Sequence, residues 1–429
     1  MRFRPVPLVA LASSVIAAGL LVAPAAQGAA PEPRRDTRFT PYAADRFEAT
    51  VETGKSDVWV VSLGDSYISG EAGRWAGNQT GGTKLIDALG RTAYWDTPDG
   101  EAIKGCHRSK SAAIHIGVVN SLNLACSGAK TASELRSNGE WKPGIDFVND
   151  GPREGQAFML EKFARDNKVR MVALSIGGND LSFAPVMEAC VKAFLLRGSE
   201  CHEDDKVLDM VSPEVRARIA ERITGAILNV AKAMERAGYD DDKWSLVLQL
   251  YPRPLPPAEE FRYGDGILGN RQLIGGCGFY DADARWALKE LLPALNETVL
   301  AAGRSAVAER PSLRLSYLDT TKAYDKRELC QEKVARVGSD DAVDSWTDPD
   351  AVNRSEWVQD INVIDTDSRD GQESLHPNYW GQLALRNCWR EVWNGGNVRG
   401  GECERREGLN DRGEPRMQLG GGGPNFQIR

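Results

Sequence analysis

Five short runs of apolar, largely β-branched residues recur along the chain and predict buried strands. The first, Asp57–Leu63, stops at Gly64, as expected of a buried strand that feeds a turn. The other four runs are Leu122–Ala125, Val169–Ile176, Trp244–Tyr251 and Leu313–Leu318.

Helical patterns lie between these runs. The clearest begins with Ser212 and Pro213, a cap followed by a proline in the first turn, and ends at Gly238. Its apolar residues recur every three or four positions, so one face is buried: Val215, Ile219, Ile223, Ile227, Val230 and Met234. Further helices are predicted over Gly155–Asn167, Ala282–Leu292 and Asn378–Trp393. Strands that alternate with helices predict one α/β domain whose parallel sheet is covered on both faces, with ligand sites beyond the carboxyl ends of the strands.

The first thirty residues have the pattern of a secretory signal peptide. Arg2 and Arg4 form a basic start, and the apolar run Leu8–Val22 is followed by Pro24 and small residues. The alternative is a membrane anchor, but this run is shorter than the roughly 20 apolar residues that span a bilayer. We expect residues 1–30 to be a signal peptide, 31–56 an N-terminal extension, 57–394 the α/β domain and 395–429 a tail rich in Gly, Arg and Glu.

Charge and composition exclude several classes of protein. Of the 429 residues, 41% are hydrophobic and 27% are charged, which is an ordinary globular composition and argues against wholesale disorder. The net charge of -8 has the wrong sign for a protein that binds nucleic acid by neutralising phosphates. Loss of Arg2 and Arg4 with the signal peptide leaves about -10, which disfavours adsorption to anionic membranes. We expect a secreted, extracellular monomer without stable membrane insertion.

Eight cysteines in an exported protein predict four disulfides, although the sequence alone leaves roughly a hundred pairings open. We predict nearest-neighbour pairing, because each such pair brackets a loop-rich stretch: Cys106 with Cys126, Cys190 with Cys201, Cys277 with Cys330 and Cys388 with Cys403. Long irregular stretches interrupt the α/β pattern, and the cysteines in them favour ordered rims around a site: Glu71–Gly105, Ser182–Asp209, Tyr251–Phe279 and Lys322–Gln372.

No metal site is predicted. The cysteines form no CxxC motif and the four histidines are scattered, which argues against structural zinc. An acidic cluster could suggest calcium, but its spacing lacks the regular ligand ladder of an EF-hand loop. The cluster consists of Asp340, Asp341, Asp344, Asp348, Asp350, Asp365, Asp367 and Asp370.

The segment Gly64-Asp65-Ser66-Tyr67 stands directly after the first predicted strand. A serine that opens a helix there presents its hydroxyl and keeps its amide N–H free to donate. Gly, Asp and Ser are also ordinary turn formers, so this segment alone indicates a reactive serine only weakly.

Three later segments add the groups that a nucleophilic serine needs. A short strand runs into Gly128, where the backbone can come close to a ligand. Another strand ends in two glycines and Asn179, whose side chain could cap a helix or donate to a developing negative oxygen. Near the C-terminus, Glu373 stands three residues before His376. A nucleophilic serine needs a base, and that base needs a group that fixes its tautomer.

In this order the segments resemble the SGNH or GDSL hydrolase family, in particular the secreted esterases and lipases of actinobacteria. The resemblance runs from about Asp57 to Trp393, and the matching motifs are Gly64-Asp65-Ser66, Gly128, Gly177-Gly178-Asn179-Asp180 and His376. The segments around Cys106 and Cys126 also look like the actinobacterial branch, in which such cysteines pair. The resemblance implies a flavodoxin-like three-layer α/β/α sandwich with a five-stranded parallel sheet and long disulfide-pinned loops, and it requires no cofactor.

The resemblance also implies roles for individual residues. Ser66 would be the nucleophile, and His376 the general base that later acts as an acid. The oxyanion hole would consist of the Ser66 amide, the Gly128 amide and the Asn179 side chain. The family usually has Asp three residues before the histidine, whereas this chain has Glu373. Some relatives use a main-chain carbonyl instead, so either group remains open as the one that orients His376.

The remaining histidines are interpreted as structural. His107 and His202 stand beside cysteines, and His115 lies in an apolar stretch. Asp65 and Asp180 are expected to support their turns through hydrogen bonds.

The implied activity is that of a secreted serine ester hydrolase that works through an acyl-enzyme. Its substrate stays open among lipids, phospholipids, small esters and acylated carbohydrates. Trp75, Tyr94 and Trp95 could bind an acyl chain or a sugar ring, or could pack the rim of the site. The alternative function is a non-catalytic secreted protein on the same scaffold, one that binds carbohydrate or associates with the cell wall. A full set of serine, histidine and asparagine argues against that alternative.

Overall fold

The structure is a computed structural model that describes residues 50–52, 57–79, 85–266, 269–335, 344–362, 369–421 and 426–428. These residues belong to one unit, Thr37–Arg429. The predicted signal peptide and residues 31–49 of the N-terminal extension lie outside the described residues, so both remain predictions.

An eight-stranded sheet runs through the described chain. Its strands are β1 (Thr50–Glu52), β2 (Val58–Gly64), β3 (Asn120–Asn123), β4 (Lys168–Ser175), β5 (Ser245–Gln249), β6 (Leu315–Asp319), β7 (Gly401–Leu409) and β8 (Pro415–Gly420). Their order in the sheet is β1-β3-β2-β4-β5-β6-β7-β8. Neighbours from β3 to β7 are parallel, while β1 and β8 pair antiparallel at the two edges.

The expected five-stranded sheet is wrong in the number of strands. All five apolar runs form strands, β2 to β6, and their order is that of a doubly wound sheet, with the first of them between the second and the third. The extra strands come from segments without an apolar run. The N-terminal extension supplies β1, and the tail, expected to lie outside the α/β domain, supplies β7 and β8. Because β7 pairs with β6 only at Gly401 and Glu402, it needs no long apolar stretch.

Ten α-helices accompany the sheet in the described residues. They are α1 (Ser66–Ser69), α2 (Gln156–Asp166), α3 (Phe183–Leu195), α4 (Asp205–Met210), α5 (Pro213–Arg236), α6 (Asp281–Trp286), α7 (Leu292–Glu309), α8 (Ala351–Arg354), α9 (Arg369–Gln372) and α10 (Tyr379–Trp393). A π-helical turn, Ala287–Leu291, joins α6 to α7. Two small antiparallel ladders pair Glu134–Leu135 with Trp141–Lys142 and Asn149–Asp150 with Arg153–Glu154.

The helices with the clearest sequence patterns form where they are expected. The Ser212 hydroxyl accepts a hydrogen bond from the Val215 amide, and α5 begins at the next residue, a proline. At the start of α10, the Asn378 side chain accepts from the amides of Trp380 and Gly381. These caps satisfy backbone N–H groups that a helix leaves without partners at its start.

Side chains of the central strands alternate between two buried clusters, one on each face of the sheet. On β2, Val60 belongs to one cluster and Val61 to the other. Residues of α3 and α10 complete the cluster of Val60, and residues of α2, α5 and α7 complete the cluster of Val61. The sheet is therefore the middle layer of an α/β/α arrangement.

The predicted nearest-neighbour disulfide pairing is confirmed. The four bonds are Cys106–Cys126, Cys190–Cys201, Cys277–Cys330 and Cys388–Cys403. The last bond joins α10 to β7 and so ties the tail to the rest of the sheet.

Candidate active site

Ser66 lies at the carboxyl end of β2, in a segment that we call the serine turn (Gly64–Gly70). Gly64 has a φ of 135°, and a Cβ there would lie 2.0 Å from the carbonyl oxygen of Ser175, so only glycine fits. Asp65 caps α1 by accepting from the Tyr67 amide at 3.1 Å. Ser66 is therefore the first residue of α1, and its own amide has no partner within the helix.

Asp65 connects the serine turn to the end of β4. The Tyr251 hydroxyl donates to Asp65 and accepts from the Gly178 amide, at 2.8 Å for the latter. Burial raises the pKa of Asp65 to about 7, against the opposing effect of the Tyr251 hydrogen bond. Asp180 accepts from the amide and hydroxyl of Thr131. Both aspartates thus hold turns together, as expected from the sequence.

His376 lies in a second segment, the histidine loop (Glu373–Pro377). Its Nε2 is 2.7 Å from the Oγ of Ser66, although the two residues are 310 positions apart. The Tyr67 ring packs against the imidazole with 4.9 Å between ring centroids, and the Tyr67 hydroxyl donates to the Leu375 carbonyl. Leu375 has a φ of 61°, a left-handed conformation that is uncommon for a bulky residue.

A main-chain carbonyl orients the imidazole. The Nδ1 of His376 is 2.9 Å from the carbonyl oxygen of Ser374. Because a carbonyl only accepts, Nδ1 carries the hydrogen and Nε2 presents its lone pair to the Ser66 hydroxyl. Burial lowers the pKa of His376, and the charge of Glu71 acts in the opposite direction.

The Glu373 carboxylate does not orient His376 in this structure, which corrects one of the two alternatives from the sequence. It accepts from the Trp75 indole N–H at 2.8 Å and from the Tyr94 hydroxyl at 2.7 Å. Burial, and then the charge of Glu71, raises the pKa of Glu373 to about 7. Two neutral donors bind the Glu373 carboxylate, whereas the carbonyl of the next residue, Ser374, accepts from Nδ1 of His376. No sequence pattern marks such a carbonyl.

The three residues expected to supply the oxyanion donors, Ser66, Gly128 and Asn179, line one cavity together with His376. Gly128 has a φ of 75°, and a Cβ there would lie 2.4 Å from Nη2 of Arg136. The Asn179 amide donates one hydrogen to the Ala129 carbonyl at 2.8 Å. Since a side-chain amide has two hydrogens, one remains for a ligand.

The cavity has a volume of about 320 Å³, within the usual range for a small-molecule site. Arg136 lies on the Gly128 side and donates to the Gly128 carbonyl at 3.1 Å. Sequence reasoning missed Arg136, which belongs to no motif. It also missed the start of α3, because Ser182–Asp209 was predicted to be irregular, whereas α3 and most of α4 form in it. Apolar side chains from the start of α3 and from two loops also line the cavity, and we call them together the apolar wall: Phe183, Ala184, Pro185, Met187, Ile361 and Leu375.

Three aromatic residues that follow the serine in the sequence, Trp75, Tyr94 and Trp95, do not line this cavity. Trp75 and Tyr94 are buried and bind Glu373, so they pack behind the site. Trp95 is 41% exposed.

The other histidines have structural partners. His107 contacts Glu71 through Nδ1 at 2.7 Å, and His115 contacts the Ser121 hydroxyl at 2.8 Å. His202 contacts Asp283 at 2.7 Å. None of these three histidines lines the cavity at Ser66.

Two groups of side chains in the described part of the chain have the spacing of metal ligands. Cys190, Cys201 and Asp283 form the first, but its sulfurs are joined in a disulfide. The second group consists of Glu200, His202 and Glu203. Neither group lines the cavity at Ser66.

The acidic cluster noted in the sequence is only partly described. Asp344, Asp348 and Asp350 belong to neither group of possible metal ligands, and most of the other members lie outside the described residues.

No protein-family model matches the sequence, and no curated protein matches it. Among solved structures, an extracellular lipase from Streptomyces rimosus is 18% identical, with a TM-score of 0.42 over 79% of this chain and 100% of that one. A phospholipase A1 from Streptomyces albidoflavus is also 18% identical, with a TM-score of 0.41 over 79% of this chain and 98% of that one. A lipase from a goat rumen metagenome is 13% identical, with a TM-score of 0.32 over 80% of this chain and 98% of that one. Within the described residues, no helix is both long and apolar enough to cross a membrane.

Proposed function

We propose that this protein is an exported serine ester hydrolase of the SGNH type. The observation that carries the proposal is the 2.7 Å contact between the Ser66 hydroxyl and Nε2 of His376, with Nδ1 held by the Ser374 carbonyl. This arrangement provides a nucleophile, a base and a group that fixes the base's tautomer.

In the proposed reaction, Oγ of Ser66 attacks the ester carbonyl carbon while its proton passes to Nε2 of His376. The tetrahedral intermediate collapses when His376 returns that proton to the alkoxide, which leaves as the alcohol. Water then attacks the acyl-enzyme, with His376 again as base, and releases the carboxylic acid and free Ser66.

The negative oxygen of each tetrahedral intermediate needs donors in fixed positions. Ser66, Gly128 and Asn179 line the cavity, and their two amides and one side chain are proposed for this role. One such donor contributes about 3 kcal/mol to the lowering of the barrier. The proposed mechanism uses no cofactor.

The apolar wall at the start of α3 favours an ester with an apolar acyl group. Phe183 and Met187 would contact the chain, and Arg136 would lie near the oxyanion side. We propose that the protein is secreted, since a signal-like N-terminus and four disulfides fit an oxidising compartment.

A series of p-nitrophenyl esters tests the proposal with wild type and Ser66→Ala. We expect wild type to hydrolyse them and Ser66→Ala to fall to background, with a chain-length preference that reports on the apolar wall. Equal rates for the two proteins would favour a non-catalytic, carbohydrate-binding or cell-wall-associated protein.

A further inference from the structure

Glu71 and His107 form a buried pair close to the proposed site. Glu71 is fully buried, His107 is 4% exposed, and Nδ1 of His107 lies 2.7 Å from the carboxylate. The other ring nitrogen of His107 is 3.7 Å from Glu101. The mechanism proposed above does not use this pair.

Several contacts join the pair to the histidine loop. Glu71 directly follows the serine turn, and the Gln382 side chain donates to the Glu71 carbonyl and to the Pro377 carbonyl of the histidine loop. The ring of His107 packs against Tyr94 with 5.1 Å between centroids, and the Tyr94 hydroxyl donates to Glu373 of the histidine loop.

Glu71 differs from two other buried carboxylates of the site in its charge at neutral pH. Burial acts to raise its pKa, but the charge and hydrogen bond of His107, together with smaller effects of His376 and Ser127, lower it to about 2. Asp65 and Glu373 have pKa values raised to about 7. Glu71 therefore stays ionised at pH values where the other two take up protons. The titratable groups around the pair and His376 are Asp65, Tyr67, Tyr94, Glu101, Lys142 and Glu373.

His376 has a specific need for a nearby anion. Its Nδ1 contacts a neutral carbonyl, and burial disfavours its charged form. In the proposed reaction the ring must become an imidazolium, and an anion near a buried cation stabilises that cation.

We propose that Glu71, paired with His107, stabilises the imidazolium of His376 and acts as a positioning residue. This inference rests on the proposed function. Glu71 does not line the cavity and works through its charge on His376.

The test is the pH profile of kcat/KM for Glu71→Gln, measured with a p-nitrophenyl ester. Loss of the anion lowers the pKa of His376, so the acid limb of the kcat/KM profile shifts to lower pH by roughly half to one unit. The plateau falls by about threefold to tenfold, the rate equivalent of that shift. A defect that is only structural lowers the amount of active enzyme and leaves the limb in place.

Glu101→Gln is the matched control, because Glu101 faces the other nitrogen of His107. Its acid limb should coincide with that of wild type. Because Glu373 titrates near neutral pH, the comparison is repeated in a Glu373→Gln background, where the shift caused by Glu71→Gln should persist.

Labelling of Ser66 by a fluorophosphonate separates two kinds of failure. If wild type is not labelled, the proposed function fails. If wild type is labelled and the limb of Glu71→Gln overlays that of wild type, this inference alone is overturned.

If Glu71→Gln does not fold, a double variant takes its place in the test. Glu71→Gln combined with His107→Gln places two amides at the buried pair, so a hydrogen bond can remain without a buried charge. Glu71 raises the pKa of His376 more than His107 lowers it. The acid limb of the double variant should therefore still shift to lower pH, by less than in Glu71→Gln. An acid limb at the wild-type pH or at a higher pH overturns the inference.

Discussion

The serine turn and the histidine loop meet at two hydrogen bonds, Ser66 to His376 and Tyr67 to Leu375, but are held in different ways. The serine turn follows β2 directly, and the backbone of β4 binds it through the Asp65 amide and Ser175 carbonyl at 2.9 Å. The histidine loop is not part of the sheet. Its backbone pairs with that of Gln359 in a neighbouring loop, and the side chains of Trp75 and Tyr94 bind it from behind. The sheet thus positions the proposed nucleophile, while a neighbouring loop and long-range side-chain contacts position the proposed base.

The largest expected effect comes from removing the base. His376→Ala leaves Ser66 without a proton acceptor, so kcat should fall by about 10⁴-fold or more. Steady-state hydrolysis of a p-nitrophenyl ester measures it. A loss of less than about tenfold would mean that another group takes the proton.

Asn179→Ala should have the next largest effect. Loss of one oxyanion donor costs about a hundredfold in kcat, with little change in KM. Asn179→Asp is a useful companion, since it keeps the size but removes both donors. A rise in KM at constant kcat would place Asn179 in ground-state binding instead.

Tyr251→Phe tests the support of the serine turn. It removes the hydroxyl between Asp65 and the Gly178 amide, and the unpaired buried groups should lower the free energy of unfolding by about 1–3 kcal/mol. Because the sheet still holds the turn, kcat should fall by less than about tenfold. Urea unfolding measures the free energy of unfolding, and ester hydrolysis measures kcat. A fall in kcat as large as that of Asn179→Ala would contradict the view that the sheet positions the serine turn.

Glu373→Gln should have the smallest effect on activity, below about fivefold, because a carbonyl orients His376. Its effect on stability depends on pH. The folded pKa of Glu373 is about 7, above its ordinary value of 4.5, so its favourable contribution is present below pH 4.5 and is lost as the pH rises through 7. The Tm of the variant minus the Tm of wild type should therefore be larger at pH 8 than at pH 5.

Glu373→Ala serves as the control for this prediction. It leaves the donors of Trp75 and Tyr94 without their acceptor and should destabilise the fold at both pH values. If Glu373→Gln lowered turnover a hundredfold without unfolding, the carboxylate would have to act on His376 after all.

The strands of the central sheet could be predicted because burial on both faces demands apolar runs, as at Val58–Gly64. The tail strands could not be predicted in this way. A strand near the edge of the sheet, such as Gly401–Leu409, exposes charged residues like Arg406 and Glu407, so it has no apolar run. Disulfide partners were predictable here because each cysteine pairs with its neighbour along the chain.

The proposed site likewise has features that the sequence predicts and features that it does not. Ser66 and Asn179 follow strands, so their place at the sheet edge can be predicted from the sequence. The carbonyl of Ser374 carries no side-chain signal, and the pairing of Glu71 with His107 depends on how an irregular stretch folds. Contacts made by backbone or across long loops leave no periodic pattern.

The proposed mechanism depends above all on activation of the Ser66 hydroxyl by His376. The most direct measurement is the rate of covalent labelling by a fluorophosphonate, with the modified residue located by mass spectrometry. We predict a single adduct on Ser66 in wild type and a labelling rate lower by about a thousandfold or more in His376→Ala. Equal labelling rates in the two proteins, or an adduct on another residue, would contradict the mechanism.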